Sequence, residues 1–209
     1  MFVPLVDILR CVNPHEETWL VASIERAEDR DILAGMLGCP TCLAEYPIRD
    51  GVVYFVERQP AAAAVQPSEA EAVRLAATLD LTDARMTAVL HGAWAAHAQL
   101  VRGMSPAELL LLNAPAGMVS GDGVSLLVAD IAPLAQGSVD AVAVDATADA
   151  ATIESLLRSL RGKGRMLGPV SMPIPDGLVE LARDDEVWVA RLDVKVTVSA
   201  PIALKRRDG

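Results

Sequence analysis

Residues 124–170 read "VSLLVADIAPLAQGSVDAVAVDATADAATIESLLRSLRGKGRMLGPV", two short apolar runs followed by a helical segment and a third apolar run. "VSLLVAD" and "SVDAVAVDA" are short and rich in branched residues, the pattern of buried strands. "DAATIESLLRSLRGKG" repeats its apolar residues at three- and four-residue steps behind Asp149, a residue type suited to start a helix, and "RMLGPVS" returns to strand. Apolar strands interleaved with helices predict a mostly parallel sheet covered on both faces, an α/β fold of the Rossmann-like kind.

The same alternation extends outward. "EAEAVRLAATLDL" and "AAHAQLVRG" suit helices, and "TAVLHG" and "AELLLLNA" suit buried strands. Downstream, "PDGLVELARDD" is predicted as a helix, and "EVWVARLD" with "PIALKRR" as a closing antiparallel pair. Upstream, the proline- and alanine-rich stretch from Glu57 has no apolar periodicity and reads as a linker. The expected organisation is therefore a small β domain over 1–56, a linker over 57–68 and the Rossmann-like domain over 69–209.

The small domain offers "LVDILR" as a helical turn and three strands, "TWLVASIER", "RDILAGMLGC" and "GVVYFV". A core that thin commonly needs a staple. Cys39 and Cys42 stand two residues apart in "GCPTC", the knuckle that turns two thiolates toward one ion, and "RCVNPHEE" supplies Cys11 and His15. The set Cys11, His15, Cys39 and Cys42 predicts a closed, structural zinc site. Asp7, Glu16 and Glu17 are alternatives for the fourth place. A redox C-x-x-C would prefer a strand and helix around it, whereas a strand hairpin follows here.

Composition narrows the function classes. Lys and Arg number 18 against 28 Asp and Glu, a formal charge of −10 that repels phosphate backbones and anionic membranes. No apolar run approaches the roughly 20 residues of a membrane span, and the amino terminus lacks the features of a secretion signal. Three cysteines fit reduced thiols better than a disulfide framework, so a cytoplasmic protein without nucleic-acid or membrane partners is expected.

"LVDILRC", "GCPTC" and "EYPIRDGVVYF", in that order over residues 4–56, resemble the Trm112-like zinc-ribbon family. The resemblance implies a zinc ribbon that activates or stabilises methyltransferase partners. His15 stands where that family often has a second cysteine. From about residue 69 the element order resembles the class I S-adenosylmethionine-dependent methyltransferases, with "ADIAPLAQGSVDAVAVD" and "LLRSLRGKGRMLGPV" similar to two of their segments.

That second resemblance implies a cofactor site, and three positions carry it. The glycine-rich loop maps onto "VLHGAWAAHA", where Gly92 matches the first glycine but Trp94 and Ala96 replace the next two. The ribose-binding acid maps onto Asn113, which lacks a carboxylate's charge-assisted hydrogen bonding. Asp130 alone keeps the residue type expected beside the adenine. Neither His91 nor His97 forms a plausible acid–base pair, Asp140 and Asp145 point to opposite faces of a strand, and no catalytic residue is assigned.

The resulting expectation is a zinc-binding accessory or scaffold protein with an impaired methyltransferase-like domain, acting through a protein partner or self-association, for which S-adenosylmethionine is not expected as a cofactor. The alternative is an active S-adenosylmethionine-dependent methyltransferase with an atypical cofactor loop.

Overall fold

In the computed structural model, which describes residues 1–58 and 66–193, one eleven-stranded sheet organises the chain. A 3-10 turn over Val3–Ile8 precedes β1 (Val21–Glu28), β2 (Asp31–Gly38), β3 (Glu45–Arg49) and β4 (Val52–Tyr54). Then come α1 (Glu69–Leu79), β5 (Thr87–His91), a second 3-10 turn over Gly92–His97 and α2 (Ala98–Met104). β6 (Glu108–Leu112), β7 (Val124–Val128), β8 (Val139–Ala143), α3 (Ala150–Ser159), β9 (Leu160–Pro169), β10 (Leu178–Arg183) and β11 (Val187–Leu192) complete the order.

The strands lie in the order β1-β2-β3-β4-β7-β6-β5-β8-β9-β11-β10. Counted from β5, the block β7-β6-β5-β8-β9 has the order 3-2-1-4-5 and is parallel throughout, the arrangement of the doubly wound fold. The molecule is a mixed α/β protein of Rossmann-like topology, with an antiparallel hairpin, β10–β11, on the β9 edge.

Alternation along the central strands sorts their side chains into two cores. Ala88, Leu90, Leu109 and Leu111 face α1 and α2, where Leu75, Leu79 and Val101 meet them. Val89, Leu110, Leu112 and Val142 face the other way, toward Leu156 of α3 and Met1, Leu5 and Leu9 of the amino-terminal segment. The Ser68 side chain caps α1 and the Asp149 carboxylate accepts the Thr152 N–H at 2.8 Å to start α3, as that residue type predicted.

The β7–β8 connection carries no helix. In its place residues 133–135 pair with the amino-terminal segment: Arg10 N–H donates to the Pro133 carbonyl at 2.9 Å and Ala135 N–H to the Ile8 carbonyl at 2.8 Å. The small amino-terminal part also joins the sheet directly, since β4 pairs in parallel with β7 through Val52–Leu126, Val53–Leu127 and Tyr54–Val128. Across the expected 1–56 boundary, therefore, the sheet is continuous.

Three expectations need correction. "EYPIR" is a strand, β3, despite Pro47; β4 pairs only with Ile48 and Arg49, so the proline sits on a stretch that β4 does not reach. The α3 helix stops at Ser159, and "LRGKG" belongs to β9, because Leu160 is already drawn into register with Val139. "PDGLVELARDD" is not a helix: Gly177, with φ of +88°, turns the chain into β10, which pairs with β11 from Leu178–Leu192 to Arg183–Trp188. Ladder hydrogen bonds along β11 override an apolar spacing that also fits a helix. The closing antiparallel pair is thus β10–β11, and "PIALKRR" lies outside the described residues. No described helix is long and apolar enough to cross a membrane.

Candidate metal centre and the crevice at the sheet's carboxyl edge

The metal candidates come from two turns that β1 and β2 bring to one end of the small sheet. Cys39 and Cys42 lie in the knuckle after β2, where Cys39 N–H donates to the Ala44 carbonyl at 2.9 Å and Leu43 N–H to the Cys39 carbonyl at 3.0 Å. Cys11 follows the first 3-10 turn and is held by its N–H to the Thr18 carbonyl at 3.1 Å. The ligand atoms of Cys11, His15, Cys39 and Cys42 all lie within 4.8 Å of one another.

Their spacing fits zinc. Cys11 Sγ is 3.6 Å from Cys42 Sγ, and Cys39 Sγ is 3.5 Å from His15 Nε2. A tetrahedron with Zn–S bonds of about 2.3 Å has edges of roughly 3.8 Å. His15 Nδ1 donates to the Glu16 carbonyl at 2.6 Å, which leaves Nε2 with its lone pair toward the thiols. Asp7, Glu16 and Glu17 are not in the cluster, and Glu17 instead takes Arg10 at 3.2 Å.

Neighbours prepare the sulfurs. The Ala44 N–H, with the Asn13 amide at 3.3 Å, lowers the Cys42 thiol to about 6, which favours the thiolate form that binds metal. Burial raises the Cys11 thiol, and the Tyr46 hydroxyl at 3.1 Å opposes that rise. Neither Asn13 nor Tyr46 stands out in the sequence as a metal-site residue. A Cys3His cluster of this geometry could hold zinc, and four protein ligands leave no position for water or substrate.

The second site is the crevice between β5 and β8, where the strand order reverses and doubly wound sheets place their ligands. Here the chain occupies its own crevice. The Asp145 carboxylate, two residues past Ala143 at the end of β8, accepts the Ala93 N–H at 2.6 Å, the Thr147 N–H at 3.0 Å and the Thr147 hydroxyl at 2.6 Å. It also meets His91 Nδ1 at 3.2 Å. Burial pushes this carboxyl up, but the bonds from His91, Ala93 and Thr147 outweigh it and hold the group well below the usual carboxylate range.

Gly92 has φ of +59°, and a Cβ built there would stand 2.2 Å from Asp145 Oδ2. The glycine is thus required by a carboxylate of the same chain. Trp94 adds to the filling, donating its indole N–H to the Val144 carbonyl at 3.0 Å. Asp145, which the sequence places only at the carboxyl edge of the sheet, is the organising residue of the crevice. Its role is invisible before β5 and β8 are known to be neighbours.

The remaining positions are also engaged. Asn113, at φ of +54°, donates its amide to the Ala129 carbonyl at 2.8 Å and accepts the Ala129 N–H at 3.1 Å, so both amide atoms tie β6 to β7. The Asp130 carboxylate pairs with the Arg58 guanidinium at the surface. His97 is buried at the start of α1, where Nδ1 accepts the Ser68 N–H at 3.3 Å and Nε2 meets Glu71 at 3.5 Å. Asp140 lies at the opposite, amino end of the sheet, taking the Thr87 N–H and Arg161, both at 2.9 Å, so it does not meet Asp145.

No protein-family model and no curated protein matches the chain. Solved structures do. A geranyl diphosphate methyltransferase in complex with SAM is 16% identical, with a TM-score of 0.39 over 48% of this chain and 48% of that one. A SAM-dependent O-methyltransferase from Thermotoga maritima is 12% identical, with a TM-score of 0.42 over 67% and 69%. An RNA methyltransferase from Salinibacter ruber, in complex with S-adenosyl-L-homocysteine, is 14% identical, with a TM-score of 0.42 over 65% and 98%. This chain spans about half the length of the first of these. The fold of the chain rests on its own strand order.

Proposed function

We propose that the protein is a zinc-binding accessory or scaffold protein, a Trm112-like ribbon fused to a methyltransferase-like sheet that does not use S-adenosylmethionine. One observation carries the reading: the Asp145 carboxylate, braced by Ala93, His91 and Thr147, fills the crevice above Gly92. A half-buried anion bonded to this many donors is costly to move, because each donor would lose its partner. The amide of Asn113, fully used by the Ala129 backbone, supports the same reading.

The ribbon's role follows from β4. Its parallel pairing with β7 and the seating of residues 8–10 on 133–135 support a ribbon whose first partner is the sheet of its own chain. Zinc at Cys11, His15, Cys39 and Cys42 would hold the ribbon in the shape that presents β4. An ion held by these four ligands would supply cross-linking and would have no open position for Lewis-acid chemistry.

A second reading, an active methyltransferase with an atypical cofactor loop, is favoured by the strand order 3-2-1-4-5 and by Asp130 at the end of β7. Metal analysis and calorimetric titration with S-adenosylmethionine on one preparation separate the two. The scaffold reading expects about one zinc per chain, lost in Cys39→Ser with Cys42→Ser, and no cofactor heat. Micromolar cofactor binding would establish the second reading instead.

A further inference from the structure

The ribbon ends the sheet with β1, an eight-residue strand that, among the described residues, pairs with β2 alone. Its outer backbone groups are a template for another strand, and natural edges of that kind are normally guarded. Here the guard is confined to one half. The register shifts at Arg26, and Glu25, Arg26 and Glu28 follow, so the far half is bulged and charged. Val21–Ile24 has neither proline nor charge.

The apolar side chains around that open half are the reverse of buried. Trp19 is 69% exposed, Val21 63% and Ile24 50%, while Leu43, at the tip of the metal knuckle, is 80% exposed. Trp19 and Val21 alternate with the buried Leu20, so they share the face turned away from the core. The knuckle is tied to the same end by Thr18 Oγ1 and Thr41 Oγ1, 3.3 Å apart. Exposed Glu16 and Glu17 precede this face, Glu25 and Glu28 follow it, and Glu45 lies across the sheet in the row of Val21 and Gly38. Of the nearby arginines, Arg10 is engaged by Glu17 and Arg26 lies 3.7 Å from Asp50.

We propose that the open edge of β1 binds an extended, basic and apolar segment of a partner protein, which adds a strand beside Val21–Ile24. Main-chain bonds to β1 supply affinity, Trp19 and Val21 receive alternate apolar side chains, and the glutamates around the edge favour a segment of net positive charge. Pairing of two copies through this face is disfavoured, because it would set one acidic rim against another. The inference rests on reading the chain as a protein-binding scaffold. Cofactor titration tests that reading separately, at the opposite side of β4.

The test uses the zinc-loaded full chain and fluorescein-labelled eight-residue peptides, read by fluorescence polarisation. An alternating Lys–Val peptide should bind, and a Lys–Ser peptide of equal charge and a Glu–Val peptide should bind at least tenfold more weakly. Methylating the backbone nitrogens of all valines, or of all lysines, should abolish binding in one case and not the other, since only alternate N–H groups face β1. Trp19→Ser with Val21→Ser should weaken binding at least tenfold at unchanged zinc content, while Val119→Ser, an exposed control elsewhere, should not. Failure of the Lys–Val peptide to bind, equal binding of the Lys–Ser peptide, indifference to both methylation patterns, or indifference to the double substitution would each overturn the proposal. So would a concentration-dependent dimer that Trp19→Ser with Val21→Ser dissolves.

Discussion

Asp145 shows how much one residue can decide. Its carboxylate gathers the Ala93 and Thr147 N–H groups and the Thr147 hydroxyl at the switch point, and its ionised form is the one the fold binds. Because the folded state holds the proton less tightly than the unfolded chain, the stabilisation is present above the ordinary aspartate value of roughly 3.9 and fades as pH falls toward the folded value. Asp145→Asn should cost about 2–3 kcal/mol at pH 7 by urea denaturation, and the gap to the parent should narrow below about pH 4. Asn113→Asp makes the complementary case. The new carboxylate would lose the donor to the Ala129 carbonyl and face that carbonyl with charge, so a loss of about 1–3 kcal/mol is expected. Gly92 was legible as a glycine needed for close approach. What approaches it was not, since Asp145 is far along the chain and is brought there only by β5–β8 pairing.

At the scale of elements, β4 is short, yet it determines how the two parts of the chain meet. Val53 is fully buried and opposite Leu127, itself 1% exposed, and Phe55 N–H continues the ladder to the Val128 carbonyl at 2.8 Å. Leu127→Ala should cost about 2–4 kcal/mol and shift the urea midpoint without splitting the transition, because its contacts belong to the core shared by ribbon and sheet. The parallel strands and α3 were readable from periodicity, since their apolar residues are spaced for one element only. β10 was not, because Leu178, Leu181 and Ala182 fit a helix as well as a strand and only the neighbour, β11, selects between them.

For the whole molecule, a single sheet from β1 to β10 and a core that runs from Met1 through Leu110 to Trp188 imply one cooperative unit. Calorimetry should show one unfolding transition, and stripping zinc with a chelator should lower its midpoint by about 10 °C or more, since metal binding free energy is folding free energy at such a site. Two separate transitions would mean that the ribbon and the sheet fold apart. By itself the sequence determined the α/β alternation, the parallel block, the three candidate cysteines and the residues that stand in the Gly92 loop, because each is written in local spacing and residue type. Only the tertiary structure decided that the ribbon's β4 joins β7, that His15 completes the cysteine cluster and that Asp145 meets Gly92 and Ala93. Both depend on which strands become neighbours, and strand neighbours are chosen by burial summed over the whole sheet.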